Sequence, residues 1–400
     1  MTVNTPAVVL GAGANGLGVA RSLARGGVQT WLLDTDSRRP EMFTRTARPL
    51  AIRALQGDAL IEDLERYAGT QFRGARPVLF LTQEETVKTV SRQRERLEDL
   101  YRFALPAKTT VDALQHKSGF QQLAEQHGAP IPPLVHVRAS GDLPKLERLH
   151  YPAVVKPGGR HAGYARQFKK AYRVEDAAQA AELVRRILPV MADVVVQEWI
   201  EGPDSGIYFC LLYLDRQSHV AASFTGRKIR SWPPQTGGTA SCTAAPEAHA
   251  ELSRLTERFF RDTGVVGMAS MEYKRDARSG TFRMVEPTIG RTDYQEEVAT
   301  LNGVNLPYAA WCSETGMACP GFTPKQRPRV WRVRSEDRQS AAAQKQSVRD
   351  GFEGARVVDA LWRWSDPLPG LAHVARRMQR AWRSRTAKTV PGSQAVGSKP

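Results

Sequence analysis

An apolar run, AVVLG, passes straight into Gly11-Ala-Gly13-Ala-Asn-Gly16, and a helical pattern, LGVARSLARGG, follows. A buried strand that turns on glycines into a helix is the opening of a βαβ unit, which requires a parallel sheet. A second strand, VQTWLLDTD, carries Asp34. That acid stands about 20 residues past the turn, where a dinucleotide site places a ribose acceptor. Two readings are therefore open. The loop binds NAD(P), as in an oxidoreductase, or its glycines only permit a tight turn and close packing.

The alternation continues with a helix expected at 52–68, the strand PVLFLT and a polar helix at 83–100. This part reads as a small α/β unit. Lys117 opens the helical stretch KSGFQQLAEQHG, which APIPP ends. From residue 151 the pattern becomes α+β with mostly antiparallel strands: YPAVVKPGG, ADVVVQEWI, SGIYFCLLYLD, GMASMEYKRD and TFRMVEPT. The segment 335–350 reads as a polar linker or solvated helix, and 389–400 as a disordered tail.

Four scattered cysteines, none in a CxxC pair, suggest a reducing compartment with neither a disulfide framework nor structural zinc. No run approaches the ~20 apolar residues of a membrane span, and the N-terminus lacks the zones of a secretory signal. A cytoplasmic protein is expected. The net charge of +16 is uneven, because residues 320–400 hold 17 Lys or Arg against 6 Asp or Glu. A solvated basic appendage is the simplest reading, and no zinc finger, RRM or KH pattern points to nucleic acid. Residues 369–388 place Leu371, Val374, Met378, Ala381 and Trp382 near one helical face among arginines. Such a helix packs on the body or lies on an anionic membrane, here the inner face.

The chemistry concentrates in an ordered set of residues. Lys117 begins a helix. Lys156 ends a strand before Gly158 and Gly159. Gln197, Glu198 and Ile200 end another strand ahead of Asp204. Lys228 sits in GRKIRSWPP between Arg227 and Arg230. Glu272 and Glu286 lie on neighbouring strands, and Thr288, Arg291 and Asp293 follow. Polyphosphates need lysines and backbone N–H groups brought close by glycine. Adenine needs an apolar slot at a strand edge, and ribose wants a carboxylate. Magnesium takes hard oxygen ligands, so two glutamates on adjacent strands begin a site. An arginine can hold an acyl phosphate and a later oxyanion.

This order resembles the ATP-grasp superfamily over roughly residues 1–312, and most of all its carboxylate–amine ligase branch. RKIRSWPPQTGG and GRTDY are similar to the D-aspartate ligase type. The resemblance implies a Rossmann-like pre-ATP-grasp domain at 1–103, an ATP-grasp domain at 104–318 and a basic C-terminal extension at 319–388. It implies ATP and Mg²⁺ as cofactors. Lys117, Lys156 and Lys228 would contact phosphates or the adenine edge, with Gly158 and Gly159 in the phosphate loop. Gln197, Glu198 and Ile200 would hold adenine, and Asp204 ribose. Glu272 and Glu286 would bind metal with Thr288, where the family has asparagine. Lys228 and Arg291 would be catalytic, and Arg227, Arg230 and Asp293 would meet substrate. The expected reaction joins a small carboxylate to an amine through an acyl phosphate. The rivals are the NAD(P) oxidoreductase and a non-catalytic ATP-binding protein that tolerates Thr288. A homodimer is the prior for the assembly.

Overall fold

The computed structural model describes residues 5–158, 162–169, 171–235 and 237–388. Gly159 and the tail 389–400 lie outside the described residues. Strands β1 (Ala7–Leu10), β2 (Thr30–Asp34), β3 (Arg48–Ala51) and β4 (Val78–Leu81) form one parallel sheet in the order β3-β2-β1-β4. The three apolar runs are buried throughout, as crossover helices on both faces require. β3 escapes sequence reading because RPLA is short and mostly exposed, with a proline tolerated on the sheet edge. The helix expected at 52–68 starts only at Asp58, and that expected at 83–100 divides into Glu84–Arg92 and Arg94–Leu97.

β5 (Leu134–Val137), β6 (Ala153–Pro157), β7 (Tyr172–Val174) and β8 (Val194–Glu198) form a small antiparallel sheet in the order β5-β8-β6-β7. Helix Ala177–Ile187, capped by Asp176, covers it. Val155, Val184 and Val196 belong to a core of its own.

The large sheet contains β9 (Ile207–Leu214), β10 (Val220–Trp232), β11 (Gly238–Ala244), β12 (Gly267–Arg275), β13 (Phe282–Ile289), β14 (Arg329–Arg332) and β15 (Arg356–Asp359), in the order β13-β12-β9-β10-β11-β14-β15. Alternation along β9 divides its side chains between two cores. Tyr208, Cys210 and Leu212 join Val8 and Leu10 of the first sheet, whereas Phe209, Leu211 and Tyr213 join Ala7 and Val9. Packing is thus continuous across residue 103.

Residue 318 is not a boundary either. Beyond it, β14 pairs with β11 and β15 with β14, extending the sheet instead of forming an appendage. An open strand edge favours such cover. Residues 334–343 form a helix that buries Asp337, Ser340 and Ala341, so the 335–350 segment is more than a linker. Arg21, in helix Ala14–Arg25, pairs with Asp366 at 2.9 Å, both side chains buried. The helix Leu368–Lys388 rests on the turn Pro40–Phe43, and Arg376 reaches Asp36 at 2.9 Å. Leu371, Val374 and Met378 remain exposed, while the side chains of Ala381 and Trp382 lie outside the described set. Among the described residues no helix is long and apolar enough to cross a membrane.

Candidate functional site

β12 and β13 place Ser270 opposite Thr288 and Glu272 opposite Glu286. Simple alternation would put Glu286 on the same face as Met284, which is buried in the core. A β-bulge intervenes: Glu272 pairs with Glu286 and Tyr273 with Met284, leaving Val285 as the extra residue. One extra residue inverts the facing of all that follow. Glu286 and Thr288 therefore join Glu272 and Ser270 on one face. Glu286 is exposed, although its strand neighbours Met284, Val285 and Pro287 are apolar.

Lys228 projects onto the same face from β10 and places Nζ 2.8 Å from Glu272 Oε2. Burial pushes the Glu272 pKa up; Lys228 opposes the shift, and the carboxylates of Asp293 and Glu286 add to it. Asp293 accepts a 2.9 Å hydrogen bond from Ser270 Oγ. Arg291 donates to the Thr292 carbonyl at 3.1 Å and lies 3.5 Å from Thr288 Oγ1. Among the described residues no three His, Cys, Asp or Glu side chains form a ready metal cage. The donors nevertheless suit a hard cation. They are oxygens, and the burial and neighbouring carboxylate charges that raise Glu272 are what a divalent ion would offset.

The small sheet supplies the other wall. Lys156 Nζ donates to Gln197 Oε1 at 2.5 Å across the β6–β8 pairing. Burial and the nearby Lys117 ammonium lower the Lys156 pKa to about 8, with Glu286 opposing them. Lys117 stands exposed at the start of its helix. A Cβ on Gly158 would lie 2.4 Å from Asp193 Oδ2, so only glycine lets the strand end approach so closely. Ile200 is buried just beyond Glu198, whose carboxylate accepts from the His150 N–H at 2.9 Å.

Three expected ligand residues are committed elsewhere. Asp204 is buried and accepts from the N–H groups of Ser231 and Gln235, at 3.0 and 2.8 Å, holding the β10–β11 hairpin. A carboxylate so enclosed does not fit the ribose role. Arg230 donates to Asp337 at 2.8 Å and to the carbonyls of Asp350 and Val348, both at 2.9 Å. Register shifts around Ile229 turn Arg230 away from the face of Lys228. Arg227, one residue before Lys228, faces Glu353 at 4.0 Å. Neither arginine meets the carboxylate cluster.

Two residues of the site escaped sequence reading. Lys274 lies two residues beyond Glu272 on the same face and is buried, with Nζ 5.8 Å from the Trp199 ring centroid. Burial lowers its pKa against the pull of Asp204 and Glu272. The i, i+2 spacing was the available signal. Glu296 is buried beside Asp293, and burial first, then the Asp293 charge, raises its pKa to about 8. Nothing in DYQEEV distinguishes it from its neighbours.

The N-terminal glycine turn is occupied by the protein itself. Asp34 is buried and accepts from the Ala12 N–H at 2.8 Å. Asn15 donates to the Thr292 carbonyl at 2.9 Å and accepts from Thr292 Oγ1 at 2.8 Å. A Cβ on Gly16 would fall 1.9 Å from the Gly11 carbonyl oxygen. The loop thus braces the segment carrying Arg291 and Asp293, and its acid does not face an open ribose pocket.

No protein-family model matches the sequence, and no curated protein matches it. Solved structures do match in fold, and the class they define is ATP-grasp. The biotin carboxylase domain of 2-oxoglutarate carboxylase from Hydrogenobacter thermophilus, in complex with MgADP, ADP and bicarbonate, superposes with a TM-score of 0.61 at 13% identity, over 82% of this chain and 73% of that one. N5-carboxyaminoimidazole synthetase from Staphylococcus aureus, complexed with ADP, gives 0.60 at 15% identity, over 82% and 81%. An L-amino acid ligase from Bacillus licheniformis gives 0.55 at 16%, over 78% and 75%. The chain has the ATP-grasp fold.

Proposed function

We propose that this chain is an ADP-forming carbon–nitrogen ligase that uses ATP and Mg²⁺ to join a small carboxylate to an amine. The observation that carries this reading is that Glu286, on the large sheet, lies near enough for its charge to act on Lys156 of the small sheet. Phosphate ligands and metal ligands thereby converge between two sheets. Fold neighbours crystallised with ADP or MgADP support the same nucleotide here.

The carboxylate substrate attacks the γ-phosphorus of ATP, giving an acyl phosphate and ADP. The amine then attacks the acyl carbon, and the tetrahedral intermediate expels phosphate. Lys156, Lys117, Lys228 and the Gly158–Gly159 backbone hold the phosphates. Gln197 and the Glu198–Ile200 edge hold adenine, beside Trp199 and Lys274. Glu272, Glu286 and Thr288 would hold magnesium, which would supply charge neutralisation at the transferring phosphoryl group. Arg291 grips the acyl phosphate and the oxyanion, and Asp293 orients Ser270 next to the metal pair. An ADP-release screen over amino acids and small polycarboxylates tests the reading. Nucleotide binding without ADP release from any pair would favour the non-catalytic alternative that Thr288 keeps open.

Peripheral contact with an anionic membrane fits the exposed Leu371, Val374 and Met378 on a helix that carries only basic charges. Liposome co-sedimentation unchanged by truncation at 368 would eliminate it. A homodimer is expected in solution, and light scattering reads that directly.

A further inference from the structure

A cavity of about 570 Å³ opens where the C-terminal strands meet the first helix. Its walls carry Arg25, Arg329, Arg332, Arg334, Arg356 and Arg363. Asp359 is the one acidic residue in the lining: its Oδ1 accepts from the Leu361 and Trp362 N–H groups, and its Oδ2 is buried with no hydrogen-bond partner among the described residues. Arg363 is answered by Glu297 at 2.6 Å, and Arg332 by Asp337 at 3.3 Å. Among the described residues, Arg25, Arg329, Arg334 and Arg356 have no ion pair and no side-chain hydrogen bond. Arg329 and Arg356 are brought side by side by the β14–β15 pairing.

Arg25, Arg334 and Arg356 are exposed and Arg329 is half-buried, so their mutual repulsion is screened least at Arg329. The Arg329 pKa is lowered accordingly, by burial and by the charges of Arg356 and Arg25. Guanidinium forks match the paired oxygens of phosphate and carboxylate groups, and several in one cavity select multiply charged oxyanions. The cavity also has an aromatic wall: Trp362 is half-buried, and Trp364 is 89% exposed with its ring centroid 6.4 Å away. An exposed tryptophan beside cationic walls offers a ring or a chain a surface to lie on. The volume lies in the range of small-molecule sites.

We infer that this arginine-lined cavity is a second binding site, for a multiply charged oxyanion of the oligophosphate class. It is separate from the carboxylate cluster. β15 lies three strands from the strand of Lys228, roughly 14 Å across the sheet. Its ligand bridges the first helix and the C-terminal strands, so occupancy also ties the two ends of the chain together.

Inorganic tripolyphosphate is the probe, titrated calorimetrically into the full chain at low and at physiological salt. The background is Lys156→Gln, which removes one of the proposed phosphate contacts of the candidate active site. Binding persists there and weakens at least tenfold when Arg329→Gln and Arg356→Gln are added. Thermal melts show both variants folded, and tripolyphosphate raises the melting temperature only where the arginines remain. Absence of binding in the Lys156→Gln background, or equal affinity with and without the two arginines, overturns the site. Sedimentation with phosphatidylglycerol vesicles identifies the source. Vesicle binding that tripolyphosphate displaces and the arginine replacements abolish assigns the oxyanion to a lipid headgroup, whereas soluble binding alone assigns it to a free metabolite.

Discussion

Lys228 Nζ lies 2.8 Å from Glu272 Oε2, although the strands that carry them are separated by β9. The lysine spans a strand to reach the carboxylate pair, so the proposed phosphate and metal ligands share one electrostatic environment. Among the described residues Glu286, opposite Glu272, has no ion pair or hydrogen bond of its side chain and is exposed. The two glutamates therefore differ in what their loss does.

Glu286→Ala should abolish function without loosening the fold. Substrate-dependent ADP release falls about 100-fold or more, the effect of losing a metal contact worth several kcal/mol. Stability changes by about 0.5 kcal/mol or less, as for an exposed site. Glu272→Gln loses turnover as well and also lowers the denaturation midpoint, because it strands the buried Lys228 ammonium. Undiminished turnover in Glu286→Ala would remove the metal assignment.

Lys156 gives nucleotide binding a pH signature. Its pKa of about 8 sits below the ordinary lysine value, so part of the free protein carries a neutral Lys156 at pH 8 to 9. Phosphate oxygens restore the charge, so ATP binding takes up protons in that range. Calorimetry in two buffers of different ionisation enthalpy measures the uptake, and Lys156→Met should erase it. For stability the sign is opposite to that of a paired lysine. The folded pKa lies below the unfolded one, so the contribution improves as pH rises from about 8 towards 10.

Glu296 works the other way. Its folded pKa, about 8, exceeds the ordinary 4.5. Its contribution to stability is fully present below about 4.5 and is lost as pH rises through 8. Glu296→Gln should flatten the stability profile between pH 5 and 8, and at pH 8 it should stabilise the protein by up to a few kcal/mol. Urea midpoints across that range decide the matter.

Arg230→Ala and Arg291→Ala should part company. Removing Arg230 leaves Asp337 buried without its main partner and costs about 3–5 kcal/mol, with KM for the carboxylate unchanged in the folded fraction. Removing Arg291 leaves the melting temperature within a few degrees and lowers kcat. A raised KM in Arg230→Ala would return that arginine to the substrate site.

The alternating strand and helix patterns made the parallel sheet legible, and the glycine turn was visible as a turn. Its purpose was not. A dinucleotide loop and a brace for Thr292 look the same in sequence, because the distinction lies in a partner 277 residues away. Lys156 and Glu272 stood out as charged residues on or ending apolar strands, whereas the facing of Glu286 rests on a bulge that sequence does not show. Arg230 could not be placed, since a single bulge reverses a strand's facing and leaves no mark in composition. β14 and β15 were hidden by brevity: four residues carry too little period to register. The basic charge of this region read as solvation, yet part of it lines a cavity.

The buried pairing of Arg21 with Asp366 spans 345 residues of chain. During synthesis the first helix leaves the ribosome with a guanidinium whose counter-charge has yet to be made. At about 5–20 residues per second that wait lasts roughly 20 to 70 s. Asp366 also receives Thr44 Oγ1 and the Arg45 N–H, so a whole corner of the N-terminal sheet waits with it. An unfinished chain therefore closes that corner only at a cost of about 3–5 kcal/mol. A chain that stops before Asp366 keeps a buried guanidinium without its carboxylate near its amino end.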